Sequence, residues 1–280
     1  MTRDDQLRWE ARWARSAAIA AVLAGLLMLA SAMVFFPKDR DGIESTADFL
    51  LSIDAQSGGF LAATLLSALA TLLLAGVFLY LFRATLARGG RMPHWFLYLV
   101  AGAPVLFAIA TIATGLDAID NADQFADGGV VRGSRGEDRA TEIRDSSVGL
   151  AVLDSVGRIS VAFLYVMLPL RARRVGLLSP FMSILGVIAG ALLVFPLGGV
   201  SSVLQAFWLG ALGMLFLGKW PGGRGPAWES GQPEPWPSAA QRSGRVPMPG
   251  QQQEPTLDPT PPEPEPVPER PASRKRRRKR

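Results

Sequence analysis

The sequence predicts an all-α fold: a polytopic membrane protein built as a six-transmembrane-helix bundle, with a disordered C-terminal tail. Three observations carry this. Six apolar segments, 16–36, 58–82, 95–116, 148–170, 177–197 and 200–217, approach the ~20 residues that a ~30 Å hydrocarbon core demands of a helix. Basic residues gather at every second connection between them. After residue 217 the composition changes: 218–280 holds 15 of the 21 prolines and no aliphatic cluster. Helix is the conformation that fits, because six such segments separated by polar loops cannot close a barrel of ~10-residue strands.

Residues 1–15 form a cytoplasmic N-terminal segment, with Arg3, Arg8, Arg12 and Arg15 beside Trp9 and Trp13. The first span, 16–36, ends near Ala30-Ser31-Ala32, which resembles a cleavage site. Its apolar run exceeds the 7–15 residues of a secretory signal, and an uncleaved anchor is expected. Arg83, Arg88 and Arg91 follow the second span, and Arg171, Arg173 and Arg174 follow the fourth. The intervening loops carry an acidic excess or no charge, so both termini are expected in the cytoplasm. Trp95 opens the third span, Trp220 closes the sixth, and Tyr80, Tyr98 and Tyr165 fall near cytoplasmic ends as interface anchors. Pro104 predicts a kink in the third span and Pro169 the end of the fourth. The last two spans, joined by Gly198 and Gly199, predict a tight antiparallel hairpin, with Gly186 and Gly190 allowing close helix approach within the chain.

The loop 117–145 is the one long extracytoplasmic connection. Its first half, DAIDNADQFADGG, spaces Asp117, Asp120, Asp123 and Asp127 by three or four residues. That spacing neither alternates ligands nor places a central glycine as a calcium loop would, so a solvated acidic loop is expected. The second half is expected to be a flexible linker. Residues 218–280 are expected to be disordered, because dense proline and few apolar residues cannot offset the entropy of ordering the chain. PPEPEPVPERP favours extended polyproline II. The chain closes on Arg274, Lys275, Arg276, Arg277, Arg278, Lys279 and Arg280, a phosphate-binding run with no aromatic interleaving. Anionic lipid headgroups are its expected partner, and sequence-specific nucleic-acid binding is not.

Residues 1–217 carry 17 Lys/Arg against 17 Asp/Glu, so the tail supplies the whole net charge of +5. There is no cysteine and a single histidine, His94. Disulfides, thiolate metal sites and cysteine nucleophiles are therefore excluded. HExxH, Walker A and dinucleotide fingerprints are absent too. The expectation is a non-enzyme without a metal or cofactor. Arg outnumbers Lys 25 to 4 amid abundant Ala and Gly, a high-GC composition that points to a bacterial plasma membrane.

The stretch with the sharpest question is 147–170, SVGLAVLDSVGRISVAFLYVMLPL. From its outer end Asp154 lies ~9 Å and Arg158 ~15 Å into the hydrocarbon, at 1.5 Å per residue. An isolated charge at that depth costs about 3 to more than 10 kcal/mol. Four-residue spacing lets the two pair, on a face shared with Tyr165 that must turn inward. Ser31, Thr64, Thr111, Thr114, Ser201, Ser202 and Gln205 fall in the same outer half. Thr111, Thr114 and Gln205 become candidate neighbours of Asp154 and Arg158 around an outward-facing vestibule; hydroxyls bonded to backbone carbonyls are the other reading. The sequence favours a structural or interaction role, with the pair locking the bundle. The alternatives are a small transporter or channel-like protein using the pair as its polar site, and a membrane-bound sensor or regulator.

Overall fold

A computed structural model describes residues 2–35, 45–129, 133–145, 147–195, 199–221 and 223–237. Among them the chain is all-helical. Four helices are long and apolar enough to cross a membrane: α1 (Arg3–Val34), α3 (Ser57–Ala87), α4 (Trp95–Asp127) and α6 (Val148–Arg174). Two further apolar helices pack among them, α7 (Pro180–Val194) and α8 (Gly199–Phe216). At 1.5 Å per residue, α7 measures about 23 Å and α8 about 27 Å, short of a ~30 Å core. Three short helices complete the set: α2 (Thr46–Ala55), α5 (Ser134–Asp145) and α9 (Pro226–Ser230). Together they form one compact unit, Met1–Trp236.

Small residues set the packing. α1 buries Ala14, Ala17, Ala18, Ala21, Ala24 and Gly25 in one stripe, which lets α3 and α8 approach it closely. A Cβ at Gly25 would stand 3.0 Å from the Ala206 carbonyl of α8. Gly186 and Gly190 do the same for α7 on α6, where added Cβ atoms would meet Pro169 at 2.8 Å and the Ala162 carbonyl at 2.8 Å. Bulky apolar side chains on the opposite faces, among them Leu26, Leu69, Ile109, Ile159, Ile184 and Val203, are exposed. That girdle is the surface a bilayer would cover.

Four expectations change. The loop after the third span is helical: α4 runs on to Asp127, and α5 follows. α2 lies across them, and Leu50, Ile53, Phe125, Ala122 and Ala140 form a second hydrophobic cluster, separate from the main core. Asp120, Asp123 and Asp127 are the exposed side of this extension, which is why its composition resembles a loop. At the other end, the boundary of the tail moves. Ala227 and Trp228 are buried in the main core, because an aromatic and a Pro-initiated turn of helix supply what the proline-rich sequence beyond them lacks; 238–280 lies outside the described residues. Tyr80 and Tyr165 are buried core residues instead of interface anchors, whereas Tyr98, Trp95 and Trp13 are exposed as anchors require. α6 continues through Pro169 to Arg174.

What fixes the α9 end is a buried ion pair. Arg88 donates from Nη1 and Nη2 to the two carboxylate oxygens of Glu10 at 2.6 and 2.8 Å. It also donates from Nε to the Ala227 carbonyl at 2.7 Å and from Nη1 to Ala84 at 2.9 Å. The two side chains are 0% and 4% exposed. Trp228 covers the guanidinium at 5.3 Å, donates to the Leu177 carbonyl at 2.9 Å and stacks on Tyr80, which stacks on Trp9. One guanidinium therefore ties α1, α3 and α9 together. Arg88→Met should destabilise the fold by about 3–5 kcal/mol, since it leaves Glu10 buried and unpaired. The double change with Glu10→Met should recover most of that loss. Reversible unfolding in mixed micelles measures both, and equal losses in the two variants would contradict this account of the pair.

Candidate functional site

The polar stripe of α6 is built by its helix period. At 100° per residue, Asp154, Arg158 and Tyr165 share a stripe. Val152, Val156, Ile159 and Phe163, all exposed, lie about 150° away from it. The exposed apolar face belongs to lipid, so the charges turn into the bundle. Arg158 Nη2 donates to Asp154 Oδ2 at 2.6 Å, and the side chains are 40% and 14% exposed respectively. The interior beside them is thus partly open.

Helix register explains the opening. Gly157 abuts Phe107 on α4, where a Cβ would be 2.8 Å from the Phe107 backbone. Counting antiparallel from that contact sets Thr111 at the level of Leu153, next to Asp154, and Thr114 at the level of Leu150. On the other flank Gly190 of α7 meets Ala162 and Tyr165. α7 ends at Val194, one turn further on, so it covers α6 only to about the level of Arg158. Asp154 consequently has α4 on one side and the end of α7 on the other.

Two hydrogen-bonding groups on the stripe are buried without a protein partner among the described residues: Arg158 Nε and the Tyr165 hydroxyl. Tyr165 is fully buried against Phe78 and Trp208. Buried donors are almost always satisfied, so each calls for a polar atom from water or a solute.

Beyond Leu150 and Ala151 the stripe runs into a cavity of about 550 Å³ under the α2–α5 layer. Thr114, Asp117, Asn121, Arg144 and Ser147 give it polar walls. Asn121 donates to Asp117 at 3.0 Å and to the Ser147 hydroxyl at 3.4 Å. Glu137 roofs the cavity and caps α2, accepting the Thr46 and Ala47 amides at 2.9 and 3.1 Å. A carboxylate there meets unsatisfied amides and the positive end of the helix. These bonds, from Ala47 first and then from Thr46 and Ser45, lower the Glu137 pKa from 4.5 to about 2.

Of the candidates named from sequence, Asp154 and Arg158 meet directly, Thr111 lies across from them by register, and Thr114 lines the cavity. Gln205 is elsewhere: buried on α8, its amide donates to the Ala189 carbonyl of α7 at 3.5 Å. Hydroxyls expected around a vestibule bond to backbone: Thr114 to Ala110 within α4, Ser31 to Ala63 across α1 and α3, and Thr64 to Phe60. Arg274, Lys275, Arg276, Arg277, Arg278, Lys279 and Arg280 lie outside the described residues. Sequence reasoning missed Asn121, Glu137 and Arg144, because it read the first half of 117–145 as a solvated acidic loop and the second half as a flexible linker, and it gave Ser147 no role; the three-and-four spacing of the aspartates was the available signal. No family model matches the chain, and no curated protein or solved structure matches it either.

Glu137 supplies a pH test. Its folded pKa is depressed, so its contribution to the α2–α5 layer is present above the unfolded value near 4.5 and is lost as pH falls towards about 2. Amide resonances of Thr46 and Ala47 should titrate with that low midpoint in wild type and lose the transition in Glu137→Gln. A midpoint near 4.5 would contradict the capping role.

Proposed function

We propose that this chain is a six-span integral membrane protein of a bacterial plasma membrane with both termini cytoplasmic, and that it binds a small polar solute from the outer side on the Asp154–Arg158–Tyr165 stripe of α6. The observation that carries the reading is the inward-facing pair with two unpartnered buried donors, Arg158 Nε and the Tyr165 hydroxyl, below a cavity of about 550 Å³. A solute bearing a hydrogen-bond acceptor satisfies Arg158 Nε, while the pair balances its own charge. This is a binding or transport role with no catalytic step. α7 and α8 count as spans in this reading because they are predominantly apolar and pack on the long helices α6 and α1, and a bilayer can thin to match a short span. The orientation follows from the arginines at the α9 end: Arg3, Arg12, Arg83, Arg91, Arg171, Arg173 and Arg174. Anionic headgroups are the proposed partner of the polybasic tail.

The second reading is a structural or interaction role in which the pair has no ligand. The 2.6 Å contact within a single turn favours it, since an ion pair closed on itself needs nothing further. The contact lies inside one helix, however, so it joins no two helices as Glu10–Arg88 does.

Replacing both charges separates the two. The variant Asp154→Leu/Arg158→Leu should fold, with stability within about 1 kcal/mol of wild type, because desolvation of the pair offsets its attraction. It should fail to restore whatever growth phenotype the intact gene restores in a deletion strain. Full complementation by the folded double variant would return the pair to a purely structural role.

A further inference from the structure

At the α9 end, α1 and α3 diverge to leave a groove of about 430 Å³. Its floor is Ala17, Ala20, Gly76 and Leu79, its rim is Trp9 and Trp13, and its mouth carries Arg83. A second, larger recess of about 810 Å³ adjoins it, shares Trp9 and Arg83, and adds the polar side chains of Thr2, Arg3 and Gln6. Apolar groove and cationic mouth are thus continuous across two residues.

We propose that this groove is a binding site for one anionic phospholipid, with its phosphate on Arg83 and one acyl chain along Gly76. Arg83 is exposed, rests over the Trp9 ring at 5.4 Å, and has no carboxylate partner among the described residues. That makes it unlike Arg88, which Glu10 neutralises, and unlike Arg8, which pairs with Asp5 at 2.7 Å. Arg3 lines the adjoining recess without a carboxylate partner among the described residues. No acid lines the groove or the recess among the described residues, and Asp5, in the first turn of α1, is engaged by Arg8 and by the Thr2 hydroxyl at 2.6 Å. The unbalanced charge is therefore positive, complementary to a phosphodiester. Depth also fits a lipid: Gly76 lies seven residues from Arg83, about 10 Å deeper along α3. Trp9 and Trp13 stand at the level between, where an amphipathic ring suits the headgroup boundary. Gly76 leaves the floor open, since a Cβ there meets nothing within 4 Å.

The site differs in place and chemistry from the α6 stripe, and it stands whether or not a solute binds there. The purified full chain in neutral detergent should retain phosphatidylglycerol in native mass spectra and be stabilised against heat by it. Phosphatidylcholine and inorganic phosphate should do neither, which separates a lipid from its headgroup anion. Arg83→Gln removes an exposed cation and should weaken phosphatidylglycerol binding about fivefold. Gly76→Trp should fill the groove without a backbone clash and abolish the stabilisation, with helical content unchanged. A chain ending at residue 237 lacks the polybasic run and should bind as wild type does. Binding that survives both Arg83→Gln and Gly76→Trp, or that disappears with the tail, overturns the proposal; if either variant misfolds, the other decides alone.

Discussion

Glu10 and Arg88 are 78 positions apart in sequence, and the α9 end of the bundle depends on their meeting. Neither side chain reaches water, so each is tolerable only because the other is present. Their bidentate contact also fixes where α1 starts relative to the end of α3. Arg88 caps that end, its positive charge lying over the last carbonyls of α3. Its Nε then selects a third partner, the Ala227 carbonyl, which draws α9 onto the bundle and sets Trp228 over the guanidinium. The result is a dry, cross-linked end.

The opposite end is organised differently. There the helices are joined by a small independent cluster under α2 and α5, and α7 stops before reaching it. The polar stripe of α6 lies between these two regimes. Tyr165 is packed in aromatic rings on the closed side, while Asp154 and Arg158 stand where packing gives way to space.

The long helices were legible because lipid leaves so little choice: a segment of that length and apolarity must satisfy its own backbone. The Asp154–Arg158 pair was legible for the same reason, being two charges where none is cheap. Glu10 was harder to see, since an acid among terminal arginines resembles a solvated face. Yet 10, 14, 17, 21 and 24 repeat at helical spacing, and four of the five are alanine, so its place on a buried stripe was written in the pattern. Arg88 resembled an ordinary positive-inside residue and offered no such sign. The helical layer of 117–145 was hidden by charge, because a cluster as small as Leu50, Ile53 and Phe125 does not lift a segment's average hydropathy. Trp228 was hidden by its proline-rich neighbours. Three tryptophans at 220, 228 and 236 nevertheless set that stretch apart from the rest of the tail.

The central claim is that water reaches the α6 pair from the α2–α5 side and stops there. A chain without cysteine permits a direct measurement, the reaction of single introduced thiols with a membrane-impermeant methanethiosulfonate added outside intact cells. Only a hydrated, ionisable thiol reacts. On the face of α4 that lines the crevice, Thr114→Cys and Thr111→Cys should be modified, and Ala103→Cys and Val100→Cys, one and two turns past Phe107, should be inert. Modification at Thr114 with none at Thr111 would end the cavity above the pair, and would contradict the account.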